Sequence, residues 1–229
     1  MMKKVTVTVL LNLLSIAAVV QGFALGKATN AGNRVPNSRL AASTATSPIK
    51  TKDQIAQELL AYSRKVGPVG SLATEEERQQ VAELAKKLSK VRGNPRPSKE
   101  PLRGIHNLVY SAAPGGSSGR LFGSFYGKVT QEFLDDNHTF VNAVRVGPLE
   151  ISLQAERIVK NDKTNVVKFR KSKVKIFGNT VVENDISGRG TWKYLFMGEV
   201  KDKKGNPRLL RVMETPSLFV IEQPLPKKQ

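Results

Sequence analysis

The chain has 229 residues, no cysteine, two histidines and a formal net charge of +18. The lack of cysteine excludes a disulfide scaffold, a thiolate nucleophile and any metal site with cysteine ligands. His106 and His138 lie far apart in sequence, which disfavours a multi-histidine metal site, and we expect neither a metal nor another cofactor. The length fits one or two domains, including a single barrel with a leader.

The first 52 residues predict targeting. Seven of the 37 lysines and arginines lie there, whereas the first acidic residue is Asp53. Residues 1–22 have a basic start, an apolar stretch too short to span a bilayer, and small residues at their end, which is typical of a signal peptide. Residues 23–52 are basic, free of acidic residues and rich in Ser, Thr and Ala, which is typical of a plastid transit peptide.

This order of segments resembles the two-part presequences of algae with secondary plastids, where a protein first enters the endoplasmic reticulum. The resemblance implies a plastid protein delivered by a signal peptide followed by a transit peptide. A secreted protein with a disordered N-terminal linker is the alternative. The mature domain would comprise residues 53–229, with helices within 53–92 and a barrel over 102–222.

Two amphipathic helices are predicted at the start of this domain. Thr51–Gln54 and Thr74–Glu77 both have the pattern of a capping box. Apolar residues then recur at helical spacing, and Gly67-Pro68 and Gly93-Asn94-Pro95 end the two helices. We expect the helices to pack against the barrel or to plug it.

From Gly104 onward the sequence alternates as β-strands do. In the first strand, 104–111, the even-numbered residues share one face, and in 149–156 apolar residues alternate with polar ones. Turn signals such as Gly147-Pro148 and Gly178-Asn179 separate eight or nine such segments, which indicates a barrel or a sandwich. We predict a mainly β fold, a closed antiparallel barrel that residues 209–222 seal against the first strand.

Four motifs follow one another behind the paired helices. They are Gly93-Asn94-Pro95-Arg96-Pro97, then Leu102-x-Gly104-x-His106-x-Leu108-x-Tyr110-Ser111, then Gly127-x-Val129-x-Gln131-x-Phe133, and last Leu210-Arg211-Val212 with Ser217-Leu218-Phe219-Val220-Ile221. In this order they resemble the plastid lipid-associated protein (fibrillin, plastoglobulin) family, over about residues 55–221. The resemblance implies a lipocalin-like barrel that binds hydrophobic isoprenoids or acyl lipids at thylakoids or plastoglobules.

One residue departs from the family pattern. The family usually has tryptophan where this chain has His106, and in lipocalin-like barrels that ring commonly stacks on an arginine of the last strand, here Arg211. His106 and Arg211 are therefore expected to meet where the barrel closes. An imidazole offers less stacking surface than an indole and would repel the guanidinium if protonated.

A small barrel can hold one apolar ligand between apolar walls with a few polar groups. The predicted lining of such a site is Leu108, Tyr110, Phe125, Val129, Phe140, Leu153 and Trp192. Each of these residues could instead be an ordinary core residue of a filled barrel. We expect a non-enzymatic protein whose ligand is a quinone, a carotenoid or an acyl lipid.

A basic stretch predicts contact with a lipid surface. Residues 168–175 contain no acid and five positive charges, on Lys168, Arg170, Lys171, Lys173 and Lys175. On a strand, residues 173 and 175 share one face, which would attract the anionic headgroups of a membrane or plastoglobule and hold the protein there peripherally. The alternative is a solvated face that prevents edge pairing.

Two other functions fit parts of the sequence. A nucleic-acid-binding barrel could stack bases on Phe169 and Phe177, although aromatic residues make up only 6% of the chain. A secreted lipocalin-like carrier would fit the signal peptide. Gly115–Gly119 matches G-x-S-x-G, but a strand is predicted to follow rather than the helix that a nucleophile elbow requires, so we predict no enzyme.

Overall fold

The computed structural model describes residues 50–113, 118–122, 125–134 and 136–227. The predicted signal peptide, 1–22, and most of the transit-like segment, 23–52, lie outside this part of the chain. So do most of the G-x-S-x-G loop and the side chain of Phe125. What the sequence predicts for these residues remains a prediction.

Two helices, α1 (Lys52–Val66) and α2 (Glu75–Ser89), begin the described part of the chain. At the start of α1 the Thr51 hydroxyl accepts the Gln54 N–H at 3.3 Å, and the Gln54 side chain accepts the Thr51 N–H at 2.8 Å. Thr74 and Glu77 repeat this arrangement at the start of α2, so both predicted capping boxes are confirmed. No helix of the described ranges is long and apolar enough to span a membrane.

Ten strands follow among the described residues, and eight of them close into an antiparallel barrel in the order β1-β10-β9-β8-β7-β6-β5-β4. β2 and β3 form a separate short hairpin. The predicted mainly β fold, a closed antiparallel barrel behind two helices, is confirmed, and β9 and β10 close it against β1. The strands are β1 (Gly104–Ser111), β2 (Arg120–Phe122), β3 (Phe125–Tyr126), β4 (Lys128–Phe133), β5 (Thr139–Val146), β6 (Leu149–Asn161), β7 (Thr164–Ile176), β8 (Asn179–Lys201), β9 (Pro207–Glu214) and β10 (Leu218–Pro224).

The barrel has two ends, because antiparallel neighbours place their connections alternately at one end and the other. We call the end with the Gly147-Pro148 and Phe177-Gly178 turns the turn end. The opposite end, with the β4–β5, β6–β7 and β8–β9 connections, is the plug end. It takes its name from a 3₁₀ turn, Pro97–Lys99, that contacts β6, β7 and β8 there.

Arg157 holds this plug in place from a position that is only 4% exposed. Its guanidinium donates hydrogen bonds to the carbonyl oxygens of Ser98 at 3.3 Å and Glu100 at 2.8 Å. A third bond goes to the carbonyl oxygen of Asn137 in the β4–β5 connection at 2.7 Å. The chain segment before β1 therefore closes the plug end, whereas the helices were expected as the possible plug.

The hydrophobic residues form two cores, one on each side of the barrel wall. The outer core joins the helices to β1, β8, β9 and β10, with Leu59 and Leu88 packed near Val220. The inner core fills part of the barrel and includes Phe140 and Ile221. Val220 and Ile221 are adjacent in β10 and face opposite cores, as the two-residue period of a strand requires. As predicted, the helices pack against the barrel.

Candidate functional site

The inner core is packed most closely toward the plug end. The Phe140 ring lies 4.7 Å from the Trp192 ring and 5.4 Å from the Phe133 ring, measured between centroids. Phe140 is completely buried and Trp192 is 8% exposed. Leu102, immediately before β1, closes this layer from the plug side. These aromatic rings form a filled floor inside the barrel.

Above the floor, the inward-facing apolar residues are only partly buried. Val129 lies on the same face of β4 as the core residue Phe133, and Leu108 is paired with the core residue Ile221. Leu108, Val129, Ile151 and Phe169 are all intermediate in exposure, although Leu153 beside them is buried. They face the interior but are less completely buried than the floor, so this half of the barrel is less tightly filled. We call these four residues, together with Leu153, the apolar cup, which lies on the turn-end side of the floor.

Of the seven predicted lining residues, the structure brings five together inside the barrel. Leu108, Val129 and Leu153 lie in the cup, whereas Phe140 and Trp192 belong to the floor. The side chain of Phe125 lies outside the part of the chain that the structure describes. Whether these residues contact a ligand stays a prediction.

Tyr110 does not line the barrel, and here the expectation from strict alternation is wrong. Leu108 pairs with Ile221, but Tyr110 pairs with Val220, so Val109 is an extra residue that forms a β-bulge. A bulge shifts the alternation by one residue, which turns Tyr110 to the outer face. There it packs in the outer core and contacts the 3₁₀ turn at Gly70–Leu72.

His106 and Arg211 both lie inside the barrel, and both are completely buried. Each contacts the ring of Phe133. The His106 ring is edge-on to it at 5.2 Å, and the Arg211 guanidinium carbon lies 5.1 Å from its centroid. Arg211 Nη2 also donates to Gln131 Oε1 at 2.5 Å. The two predicted residues therefore share one environment, with Phe133 as their common contact.

Burial decides the charge states at this position. It lowers the pKa of His106 to about 2, and the nearby Arg211 charge acts in the same direction, so the imidazole is neutral. Burial also lowers the pKa of Arg211, to about 10, against the opposing influence of the Tyr194 hydroxyl. Arg211 thus stays positive at neutral pH, and the repulsion that a protonated His106 would cause does not arise.

Gln131 and Phe133 are part of the motif Gly127-x-Val129-x-Gln131-x-Phe133, but they were not predicted as site residues. The motif carried a signal, because its two-residue spacing places both residues on the same face of β4 as Val129. Gln131 Nε2 also donates to Asn142 Oδ1 on β5 at 3.0 Å. Two hydrogen bonds therefore connect Arg211 through Gln131 to Asn142. Asn142 is partly exposed and lies beside the cup.

The basic stretch lies on the outer face of β7, where acidic residues of the neighbouring strands meet it. Lys171 and Lys173 each lie 3.1 Å from Glu183 of β8. Arg170 lies 2.6 Å from Glu156 of β6, and Lys175 lies 3.2 Å from Glu150 of the same strand. Lys168 is directly opposite Glu156 in the register. Such exposed pairs contribute little to stability, but they cancel much of the local positive charge.

A scan against protein-family models matches the model PAP_fibrillin to residues 54–215, which runs from α1 into the end of β9. Searches of curated proteins and of solved structures returned no match. The PAP_fibrillin family is plastid-associated, and its members are generally structural, lipid-associated proteins. Because the matched segment covers well over half of the chain and contains both helices and most of the barrel, the protein belongs to the PAP_fibrillin family.

Proposed function

We propose that this protein binds one hydrophobic plastid lipid or isoprenoid in its barrel, without catalysing a reaction, and has a structural role at thylakoids or plastoglobules. The observation that carries the proposal is the apolar cup above the aromatic floor. Leu108, Val129, Ile151 and Phe169 face the interior and are only partly buried. Each 100 Å² of apolar surface that a ligand covers contributes about 2.5 kcal/mol, before the cost of immobilising the ligand.

A quinone ring, a carotenoid end group or an acyl chain would suit this cup. All three are apolar and narrow, and the walls offer few polar groups for orientation. Leu153 supplies further apolar wall, and Asn142 supplies a partly exposed amide at the side. The predicted leader supports a plastid location, with delivery through the bipartite presequence.

The turn end is the surface that we propose to face the lipid phase. Phe177 is 80% exposed at the tip of the β7–β8 hairpin, beside Lys175, Arg145 and Pro148. Exposed aromatic and basic side chains together favour the interface of an anionic membrane. The five cations of β7 could add to this attraction, but their acidic partners weaken it. In this orientation the cup opens toward the lipid.

The two alternatives gain less support. In a nucleic-acid groove, Phe169 and Phe177 would stack bases between the basic residues. Phe169 instead packs against the inner core, on the opposite face from the lysines, and those lysines are ion-paired. A secreted carrier would differ from a plastid protein in its location. A fluorescent tag fused after residue 52 would distinguish the two, because it would accumulate in the medium if the protein is secreted.

The proposal predicts that the protein carries lipid when it is purified from its native source. Organic extraction followed by mass spectrometry should recover a quinone, carotenoid or acyl lipid in roughly stoichiometric amount. Leu153→Arg, which places a charge in the cup wall, should lower that yield severalfold in a folded protein, whereas Val181→Arg on the outside should not. No recovered lipid, together with no binding of added quinone or carotenoid, would contradict the proposal.

Phe177 provides a second test, because its backbone is costly to maintain. The Phe177-Gly178 turn has positive φ at both residues, 49° and 81°, as in a type I′ hairpin turn. A bulky residue there costs about 1 kcal/mol relative to asparagine. Phe177→Asn should therefore stabilise the protein by about 1 kcal/mol in urea unfolding while it lowers flotation with anionic vesicles severalfold.

The control for this test is Ile158→Asn, which removes an apolar side chain of 40% exposure from the outer part of β6. We expect this variant to float as the wild type does. If Phe177→Asn floats equally well, the turn end does not contact the lipid surface.

A further inference from the structure

Arg211 is a buried charge without an acidic partner. Its side chain is fully buried in the middle of the barrel, and no ion pair among the described residues includes it. It donates a hydrogen bond to the neutral amide oxygen of Gln131, and the Tyr194 hydroxyl also interacts with the guanidinium. The Nε and Nη1 atoms of the same guanidinium have no acceptor. Two of its three nitrogens are thus left unsatisfied in the barrel interior.

The surroundings of Arg211 add positive charge and unsatisfied polar atoms. Arg157 also lies over the Phe133 ring, 5.7 Å from its centroid, and its charge acts on both Arg211 and His106. Neither nitrogen of His106 makes a well-formed hydrogen bond, although the Arg103 backbone lies close enough to act on the imidazole, and Asn165 Oδ1 has no partner. The buried acid of the described chain, Glu222, faces the outside, where Arg64 and Arg208 bind it.

This arrangement is costly in an empty barrel. A guanidinium moved out of water without an anion loses several kcal/mol of solvation, and each unsatisfied donor adds to the loss. The cation–π contacts with Phe133 recover only a part of this. A bound anion would recover more, because it would accept from Nε or Nη1 inside a low-dielectric site.

The chemistry of the walls limits what that anion can be. Arg157 is already bonded to three carbonyl oxygens, so Arg211 is the guanidinium here with free donors, and it suits a single negative charge on a small planar group. The cup adjoins this position through the Gln131–Asn142 pair, so the remainder of the ligand must be apolar. A carboxylate on a long apolar chain meets both conditions.

We propose that Arg211 binds the carboxylate of a long-chain acid whose apolar chain extends through the cup toward the turn end. This inference rests on the proposed function and names the ligand class more narrowly. The acid could be a straight-chain fatty acid or a branched isoprenoid acid, since both present the same head group.

The test compares acids with alcohols of the same chain, using the full-length protein and isothermal titration calorimetry. Palmitate is paired with hexadecanol, and phytanate with phytanol (dihydrophytol), so that the two pairs also distinguish straight from branched chains. We expect at least one acid to bind tenfold or more tightly than its alcohol. Arg211→Met should abolish that preference and leave the affinity for the alcohols within about twofold.

Arg208→Met is the matched control, because Arg208 lies on the same strand but binds Asp202 and Glu222 on the outside. It should keep the preference for acids. Gln131→Glu serves as a second variant in case Arg211→Met does not fold. It places a carboxylate of the protein against Arg211, so it should also lower acid affinity tenfold or more while the alcohols still bind.

Equal binding of acids and alcohols by the wild type would overturn this inference and leave the proposed lipid-binding function intact. A preference for acids that survives in folded Arg211→Met or in Gln131→Glu would overturn it as well. If none of the four compounds binds, the inference fails, and the binding of added quinone or carotenoid then decides the proposed function.

Discussion

Acidification from pH 7 to pH 5 should destabilise the wild-type protein by about 2 kcal/mol more than a His106→Gln variant. The pKa of His106 is about 2 in the folded protein because burial and the Arg211 and Arg157 charges disfavour the imidazolium, whereas it is near 6.5 in an unfolded chain. The unfolded state therefore binds the proton more tightly. The contribution of neutral His106 to the free energy of unfolding is complete above pH 6.5. It is lost at about 1.4 kcal/mol per pH unit as the pH falls from there toward 2.

Urea unfolding at pH 7, 6 and 5 gives the slope of the free energy of unfolding against pH for each protein. A loss of stability that the substitution causes equally at every pH does not change this slope. Carboxylates that lose stabilising partners in acid contribute equally to both proteins and cancel in the comparison. Parallel slopes for wild type and His106→Gln would mean that His106 can be protonated without unfolding.

The parts of the fold that the sequence predicted are those that depend on near neighbours. The capping boxes of α1 and α2 join residues three positions apart. The turn signals at Gly147-Pro148 and Gly178-Asn179 are equally local, although the second turn lies one residue earlier, at Phe177-Gly178. The faces of most strands follow from a two-residue period, which is why Leu108, Val129 and Leu153 were placed inside correctly. Barrel closure followed from the number of such strands and from the family resemblance.

The parts that could not be predicted depend on partners far away in sequence. The bulge at Val109, which turns Tyr110 outward, is a property of the pairing between β1 and β10. The five cations of β7 look uncompensated in the sequence, because their acidic partners lie on β6 and β8. The contact of Gln131 with Arg211 joins residues 80 positions apart. The alternation of residues in a strand predicts which face a side chain lies on, but its partner depends on the register with the neighbouring strand.

Phe140→Ala should lower the free energy of unfolding by about 3 to 5 kcal/mol, a large fraction of the 5–15 kcal/mol typical of a domain. The side chain is completely buried between Phe133 and Trp192, at 5.4 and 4.7 Å between ring centroids. Its removal leaves a cavity in the aromatic floor that rigid strands on both sides cannot fill by collapsing. The measurement is urea unfolding at pH 7, followed by tryptophan fluorescence, since Trp192 is the single tryptophan of the chain and lies in contact with the site of the change.

The same substitution at Phe177 is the control, because that ring is 80% exposed at a hairpin tip. Phe177→Ala should change stability by no more than about 0.5 kcal/mol, since it removes little buried surface and keeps a non-glycine residue at positive φ. Phe140→Leu should fall between the two, as it retains most of the apolar volume. If Phe140→Ala costs less than about 1 kcal/mol, the floor is loosely packed, and the boundary between floor and cup would have to lie closer to the plug end. A ligand chain could then reach past Arg211, so this stability measurement also bears on how deep the binding site is.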